Sequence, residues 1–189
     1  MTFWNAGRGT GAAANSGSAA ISLSRELAPI ELYTAGSRVV AWIETKGRRV
    51  TDLLNGQDVL RLWQPTAPRE GTVTPSSEPG ADDGEWQSLA PDQIVLAMLP
   101  EWRANRQLRI HRKLRRVAIE VGQFSITGNA HVPFGTEPGL WMLDRGPRFL
   151  PLTDVHILHH GEPPFEHVVS VVIVNTKQVT ALVPLFTLA

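Results

Sequence analysis

The chain of 189 residues repeats parts of its own sequence, and this repetition limits the folds that it can adopt. Three stretches of its N-terminal part recur in the same order in its C-terminal part. The matched stretches are 30–43 with 119–132, 54–62 with 150–158, and 93–100 with 178–184. The shared order favours a tandem duplication. We predict that four residues of the first copy superpose on four of the second, namely Ile30, Ala41, Asp58 and Gln93 on Ile119, Ala130, Asp154 and Gln178.

Within and beside these repeats, short apolar segments have the character of β-strands. Residues 124–127 alternate apolar and polar side chains, as a half-buried strand does, and the apolar run 168–174 predicts a strand buried on both faces. Further β-rich segments are 39–43, 94–99 and 117–121. Helix signals are confined to single turns at 22–27 and 51–55 and to one longer candidate at 101–116. We therefore predict an all-β fold.

The repeats and the composition divide the chain into a tail, two modules and a linker. The Gly-, Ala- and Ser-rich N-terminus has too little apolar surface to offset its ordering entropy, which predicts a disordered tail. Each copy is expected to be a small β-barrel or sandwich module. The predicted boundaries are a tail at 1–28, module 1 at 29–102 with a Pro- and Gly-rich loop at 65–85, a basic linker at 103–116, and module 2 at 117–189.

Composition excludes several classes of protein. The 18 basic and 18 acidic residues give zero net charge, which argues against a generally basic nucleic-acid-binding chain. The absence of cysteine excludes disulfide scaffolds, cysteine nucleophiles and thiolate metal sites. The N-terminus lacks the basic and apolar regions of a secretory signal, and the longest apolar run is too short to cross a bilayer. We therefore predict a cytoplasmic protein.

Two segments are candidates for binding a partner. Phe3 and Trp4 stand at the tip of the tail, where a flexible tether would let them dock in a pocket of another protein. The linker carries the strongest charge asymmetry of the chain, which suits an acidic protein surface or the phosphates of a nucleic acid, unless it is simply a solvated linker. Its basic residues are Arg103, Arg106, Arg109, Arg112, Lys113, Arg115 and Arg116.

Histidines are concentrated in one segment of the second copy. The candidates for a metal site there are His156, His160 and His167. On a strand, however, the spacing gives no three-ligand set, and the first copy has Leu60, Trp63 and Gln64 where the second has His156, His159 and His160. We therefore predict no metal site and interpret these side chains as polar residues at strand ends and in loops.

Signatures of enzymes are also lacking in the sequence. It contains no phosphate-binding loop of the Gly-x-x-x-x-Gly-Lys type and no Gly-x-Ser-x-Gly turn, and the glycines at 7–11 follow no strand. We predict neither catalysis nor a cofactor.

Parts of the second copy resemble an uncharacterised family of small bacterial β domains. The resemblance rests on 128–133, 148–155 and 174–179, and on the turn at 48–55 in the first copy. It implies a β module in a bacterial protein and supplies no catalytic residue. The predicted function is that of a non-catalytic accessory subunit, a scaffold that mediates protein–protein assembly through its β modules and extended arms. The alternative is an anion- or nucleic-acid-binding module that uses 103–116.

Overall fold

A computed structural model describes residues 27–65, 84–100 and 113–185 and gives them an all-β fold, as predicted. The N-terminal half holds five strands, which are β1 Leu27–Thr34, β2 Arg38–Glu44, β3 Leu60–Pro65, β4 Gly84–Leu89 and β5 Ile94–Met98. The C-terminal half holds five more, which are β6 Lys113–Val121, β7 Phe124–Val132, β8 Phe149–His159, β9 Phe165–Asn175 and β10 Val179–Pro184. The predicted tail lies outside the described residues, apart from Leu27 and Ala28, which belong to β1.

All ten strands form one antiparallel sheet, and the strand order of its two halves is the same. The full order is β10-β6-β7-β8-β9-β5-β1-β2-β3-β4. Each half is therefore a four-strand meander whose fifth strand returns to pair with its first. The halves meet where β9 pairs with β5. The β1–β2 and β6–β7 hairpins have two-residue turns, so local sequence patterns suffice to form them, whereas the return of the fifth strand depends on contacts distant in sequence.

Short helical segments cover parts of this sheet. Helix α1, Val50–Gly56, includes the predicted turn at 51–55 and buries Leu53 and Leu54 in the core of the N-terminal half. Helix α2, Pro138–Leu140, continues into one π turn, Trp141–Arg145. Backbone N–H groups of its first turn donate to the exposed carboxylate of Glu137 and lower the pKa of that group.

The matched stretches at 30–43 and 119–132 are correctly paired as strands, but our predicted alignment is wrong by two residues. Thr34 and Ser37 close the β1–β2 hairpin around a two-residue turn, and Val121 and Phe124 close the β6–β7 hairpin in the same way. The turn glycine Gly122 has a φ of 57°, as such turns require. Equivalent residues in β1 and β6 therefore lie 87 apart, so Ile30 corresponds to Val117 and not to Ile119, and Ala41 corresponds to Gly128 and not to Ala130.

The predicted superposition of Asp58 on Asp154 is also wrong. Strand pairing places Leu62 opposite Ile43 and Leu152 opposite Ala130, so Leu62 corresponds to Leu152. Asp154 has a φ of 50° within a register shift of β8, whereas Asp58 precedes β3. The residue after Asp58, Val59, is 53% exposed, while Val155 is fully buried.

The predicted superposition of Gln93 on Gln178 is confirmed by the pairing of the last strands. Gln93 and Gln178 each end a 3₁₀ turn directly before the fifth strand of their half. Both fifth strands then carry a bulge at the same position, between Ile94 and Leu96 in one half and between Val179 and Ala181 in the other. Equivalent residues here lie 85 apart.

The run 168–174 forms part of β9, but only its second half is buried on both faces. Val172, Ile173 and Val174 are fully buried, whereas Val168 is 79% exposed. The reason is that β5 pairs only with Val172–Val174, so the β8–β9 hairpin extends beyond its neighbour. The sequence run predicted the strand and could not show where its neighbour ends.

Candidate functional site

The junction between the two halves is a strand pair whose side chains enter both cores. Leu96 lies opposite Val174, Ala97 opposite Ile173, and Met98 opposite Val172. The core of the C-terminal half contains Leu96, Val172 and Val174, whereas the core of the N-terminal half contains Ala97 and Ile173. Each half therefore contributes buried side chains to the core of the other, because side chains alternate between the faces of a sheet.

Hydrogen bonds to the backbone reinforce the junction. The side chain of Asn55 donates to the carbonyl of Phe149 at 2.8 Å and accepts from its N–H at 2.8 Å. The buried amide of Asn175 donates to the carbonyl of Ile94 at 2.8 Å. Arg148 forms an ion pair with Asp92. These contacts all join one half of the chain to the other.

The two ends of the sheet, β4 and β10, pair on one side only within the described residues. In the strand order of their halves they hold the same places as β9 and β5, the two strands that pair with each other at the junction. Large apolar side chains are exposed at both ends: Trp86 is 45% exposed on β4, and Val183 is 56% exposed on β10. An open strand edge with exposed apolar side chains is a template for pairing with another strand.

The pairing of each edge strand identifies the backbone groups that point outwards. Leu185 donates its N–H to Arg116 of β6 at 2.8 Å, so by alternation the N–H of Leu182 faces away from β6. Pro65 has no N–H and lies opposite Gly84, so that pair is not hydrogen-bonded and the donors of Trp86 and Ser88 face away from β3. Leu182 and Ser88 thus have N–H groups that face outwards at the two ends of the sheet, away from every strand that the structure describes.

A cleft of about 870 Å³ lies beside the junction and is lined by rings from both halves. Tyr33 contacts Phe124 edge to face, with ring centroids 5.0 Å apart. His159 stacks on Phe165 at 4.8 Å and lies 4.7 Å from Phe124. The cluster joins β1 of the N-terminal half to the β6–β7 and β8–β9 hairpins of the C-terminal half.

Tyr33, the only tyrosine of the chain, is buried at the edge of this cleft. Burial raises the pKa of its hydroxyl far above the ordinary value, and the hydrogen bond to the nearby carboxylate of Glu31 raises it further. Glu31 also pairs with Arg38, at 2.6 Å, which offsets part of that effect. The neutral phenol is therefore the form that the fold stabilises.

We expect Tyr33 to stay protonated as long as the protein is folded. Because the folded pKa is raised, this interaction stabilises the fold below the unfolded pKa of about 10 and loses its effect as the pH rises through the folded pKa. A titration followed by tyrosinate absorbance should show no ionisation at about pH 11 until the protein unfolds. The Glu31→Gln variant should ionise at lower pH than the wild type. Ionisation at about pH 10 in a folded protein would contradict the burial of this hydroxyl.

Most of the predicted partner-binding residues lie outside the described part of the chain. This applies to Phe3, Trp4, Arg103, Arg106, Arg109 and Arg112. Lys113, Arg115 and Arg116 form the start of β6, where Lys113 and Arg116 are exposed. These three residues are extended and not helical, and β6 begins four residues before the predicted start of module 2. The anion-binding alternative stays a prediction.

The structure separates the histidines that we named as metal candidates. The His156 ring contacts Glu166 at 2.6 Å, the His160 ring contacts Ser125 at 2.6 Å, and His167 lies beside Phe165. In residues 27–65, 84–100 and 113–185, no three histidine or carboxylate side chains are grouped as a metal ion would need.

The contact between Ser125 and His160 brings a hydroxyl to an imidazole, as in a hydrolytic site. Here the carboxylate of Glu120 accepts from the serine hydroxyl, at 2.8 Å, and no contact of Glu120 orients the histidine. A nucleophile needs its base to take the proton and a third group to orient that base. The three side chains thus form a hydrogen-bond chain at the surface.

The sequence did not predict which residues form the edges of the sheet and the cleft. Tyr33, Phe124 and Phe165 come from distant parts of the chain, and nothing in their local patterns connects them. The similarity between the two halves is a signal for the edges. It can be used only once the strand order shows that β4 holds the same place in its half as β9 does in the other.

Comparison with protein-family models, with curated proteins and with solved structures finds no match for this chain. Among the helices that the structure describes, none has the length and apolar character needed to cross a membrane.

Proposed function

We propose that this protein is a non-catalytic structural subunit that mediates protein–protein assembly through the open edges of its sheet. One observation carries the proposal: β5 and β9 pair with each other inside the chain, while their repeats β10 and β4 end the sheet without a described neighbour. Strand addition at an open edge is a common mode of recognition, since backbone hydrogen bonds supply affinity and alternate side chains supply specificity.

We infer that the two halves are tandem copies of one small barrel- or sandwich-like module, of the kind suggested by the resemblance to small bacterial β domains. The identical strand order of the halves and the bulge that both fifth strands share support this inference. The proposal includes no cofactor and assigns the assembly to the cytoplasm. Any arm that the N-terminal segment with Phe3 and Trp4 supplies would add to the contacts of the edges.

Proline at the outward-facing positions tests the role of the edges. Ser88→Pro and Leu182→Pro remove outward donors and leave the inward ladder to β3 and β6 in place. The expected result is that the wild-type protein in extracts of its native source migrates well above its own mass of 20.7 kDa and that each proline variant migrates at a lower mass.

Ser88→Ala and Leu182→Ala are the matched controls, because they remove the same side chains and keep the N–H groups. Both are expected to retain more of the assembly than the proline variants, and circular dichroism should show that all four variants are folded. A wild-type protein that migrates as a single chain in the native extract would contradict the proposed function.

A further inference from the structure

We propose that the partner at each edge is a second copy of this chain, bound head to tail, with β10 of one copy paired with β4 of the next. This inference rests on the proposed assembly function and specifies its partner. The β5–β9 pair at the junction is the template, because β10 repeats β5 and β4 repeats β9. The same step that joins the halves of one chain would then join one chain to the next.

The alignment of the repeats fixes the register of the proposed pair. Ile94 and Val179 occupy the same position before the shared bulge, so residues of β5 and β10 correspond at a separation of 85. In the other strand pair, Gln87 lies opposite Leu62 and Val172 lies opposite Leu152, which again gives a separation of 85. Both sides of the template can therefore be transferred residue by residue.

The transferred register has three central pairs. Leu96 opposite Val174 becomes Ala181 opposite Leu89 of the next copy. Ala97 opposite Ile173 becomes Leu182 opposite Ser88 of the next copy, and Met98 opposite Val172 becomes Val183 opposite Gln87.

The central pair keeps the combination of one large and one small side chain, although the large member changes sides. At the junction Ala97 is small and Ile173 is large, whereas at the proposed interface Leu182 is large and Ser88 is small. Such an exchange keeps the side-chain volume between the strands similar, which is the condition for close packing. In this register the two edges are therefore complementary to each other.

The template also predicts where the exposed side chain of Val59, close to β4, packs in the assembly. Leu60 corresponds to Leu150, so the preceding residue Val59 corresponds to Phe149. Phe149 is fully buried in the core of the opposite half, whereas Val59 is 53% exposed. In the proposed assembly Val59 would pack against the core beside β10 of the adjoining copy.

Pairing of two different edges is a heterologous contact. It closes into a ring when the repeated rotation allows closure and otherwise continues as a filament. An isologous dimer would instead pair β4 with β4 or β10 with β10. The chain carries one copy of each edge, so every head-to-tail contact leaves the same two edges at the ends until a ring closes.

Cysteine pairs test both the partner and the register, since the natural chain contains no cysteine. In the variant with Ser88→Cys and Leu182→Cys, the two thiols lie directly opposite each other across the proposed interface, within the range of separations that a disulfide spans. Mild oxidation of the purified full chain is expected to produce covalent species of two or more chains. The control with Ser88→Cys and Val183→Cys places its thiols on opposite faces of the sheet and should give a marked loss of these species.

Each outcome decides between the alternatives. Covalent oligomers that form in the first double variant and are lost in the control support head-to-tail pairing, whether light scattering then shows a ring or a filament. A cross-link within one chain overturns it, because the edges would meet intramolecularly. Dimers from Ser88→Cys alone or Leu182→Cys alone also overturn it, because they report an isologous contact.

Failure of this inference can be distinguished from failure of the proposed function. The purified chain could stay monomeric and form no cross-link, while the native extract still contains a larger assembly that Ser88→Pro removes. In that case the edges bind a different protein, and only the head-to-tail inference is wrong. If the chain is monomeric in the native extract as well, both proposals fall.

Discussion

Replacing Phe149 with Ala is expected to lower the free energy of unfolding by about 3–5 kcal/mol, the usual cost of removing a buried phenylalanine side chain. Phe149 begins β8 in the C-terminal half, yet its fully buried ring belongs to the core of the N-terminal half. Hydrogen bonds from Asn55 hold its backbone in place, so the site has little freedom to collapse around the cavity. Because the ring joins the halves, both should lose stability together.

Urea denaturation followed by tryptophan fluorescence measures this effect. Trp63 reports on the N-terminal half and Trp141 on the C-terminal half. Two single-tryptophan backgrounds, in which Phe replaces the other five of the six tryptophans, are therefore expected to give coincident transitions. The matched control is Phe134→Ala, whose side chain is 72% exposed and whose loss should change stability by less than about 0.5 kcal/mol. Separate transitions for the two halves of the protein that still contains Phe149 would show that the ring does not couple them.

The strands could be predicted from the sequence because their signals are local. Apolar alternation and β-branched runs identify β2, β5, β6, β7 and β9, and the buried pair Leu53 and Leu54 accompanies the short helix α1. Burial on one face of a strand determines only which residues point to the core. The period of two then leaves the pairing ambiguous by multiples of two residues.

This ambiguity explains which alignments succeeded. Ile30 was matched with Ile119, two residues from its true counterpart Val117, and both candidates are buried on the same face of the same strand. Gln93 was matched correctly with Gln178 because a helical turn directly before the strand fixes its start. Asp58 and Asp154 share a residue type and no structural role, since one precedes a strand and the other lies in a bulge.

The positions of the sheet edges could not be predicted from the sequence. The repeats predict β modules, and the role of these modules in assembly stays a prediction, whereas the positions of the edges depend on the strand order. The order in turn depends on the return of each fifth strand and on the β5–β9 pair, and these contacts form between residues far apart in sequence. The tryptophans show the same limit, because Trp63 is buried and Trp86, opposite it in the ladder, is 45% exposed at the edge.

The Asn175→Asp variant is expected to lose about 3–5 kcal/mol of its free energy of unfolding at neutral pH, because it buries an unpaired charge. The expected loss for Asn175→Ala is smaller, about 1–2 kcal/mol. Asn175 is fully buried at the end of β9, donates to the carbonyl of Ile94 and accepts from the N–H of Lys177 at 3.1 Å. Alanine leaves that carbonyl without this donor. Aspartate also places a carboxylate oxygen against it, in a position that water does not reach.

The two variants should differ in their response to pH. Burial favours the neutral form of an acid, so the pKa of an aspartate at position 175 is raised in the folded state. Relative to the wild type, the Asp variant should therefore be most stable below the unfolded pKa of about 3.9 and lose stability as the pH rises through its folded value. Urea denaturation of wild type and both variants at several pH values measures this. The difference in free energy of unfolding between the Asp and Ala variants should therefore change with pH. If it were the same at every pH, solvent would reach residue 175, which would contradict the buried hydrogen bond to Ile94.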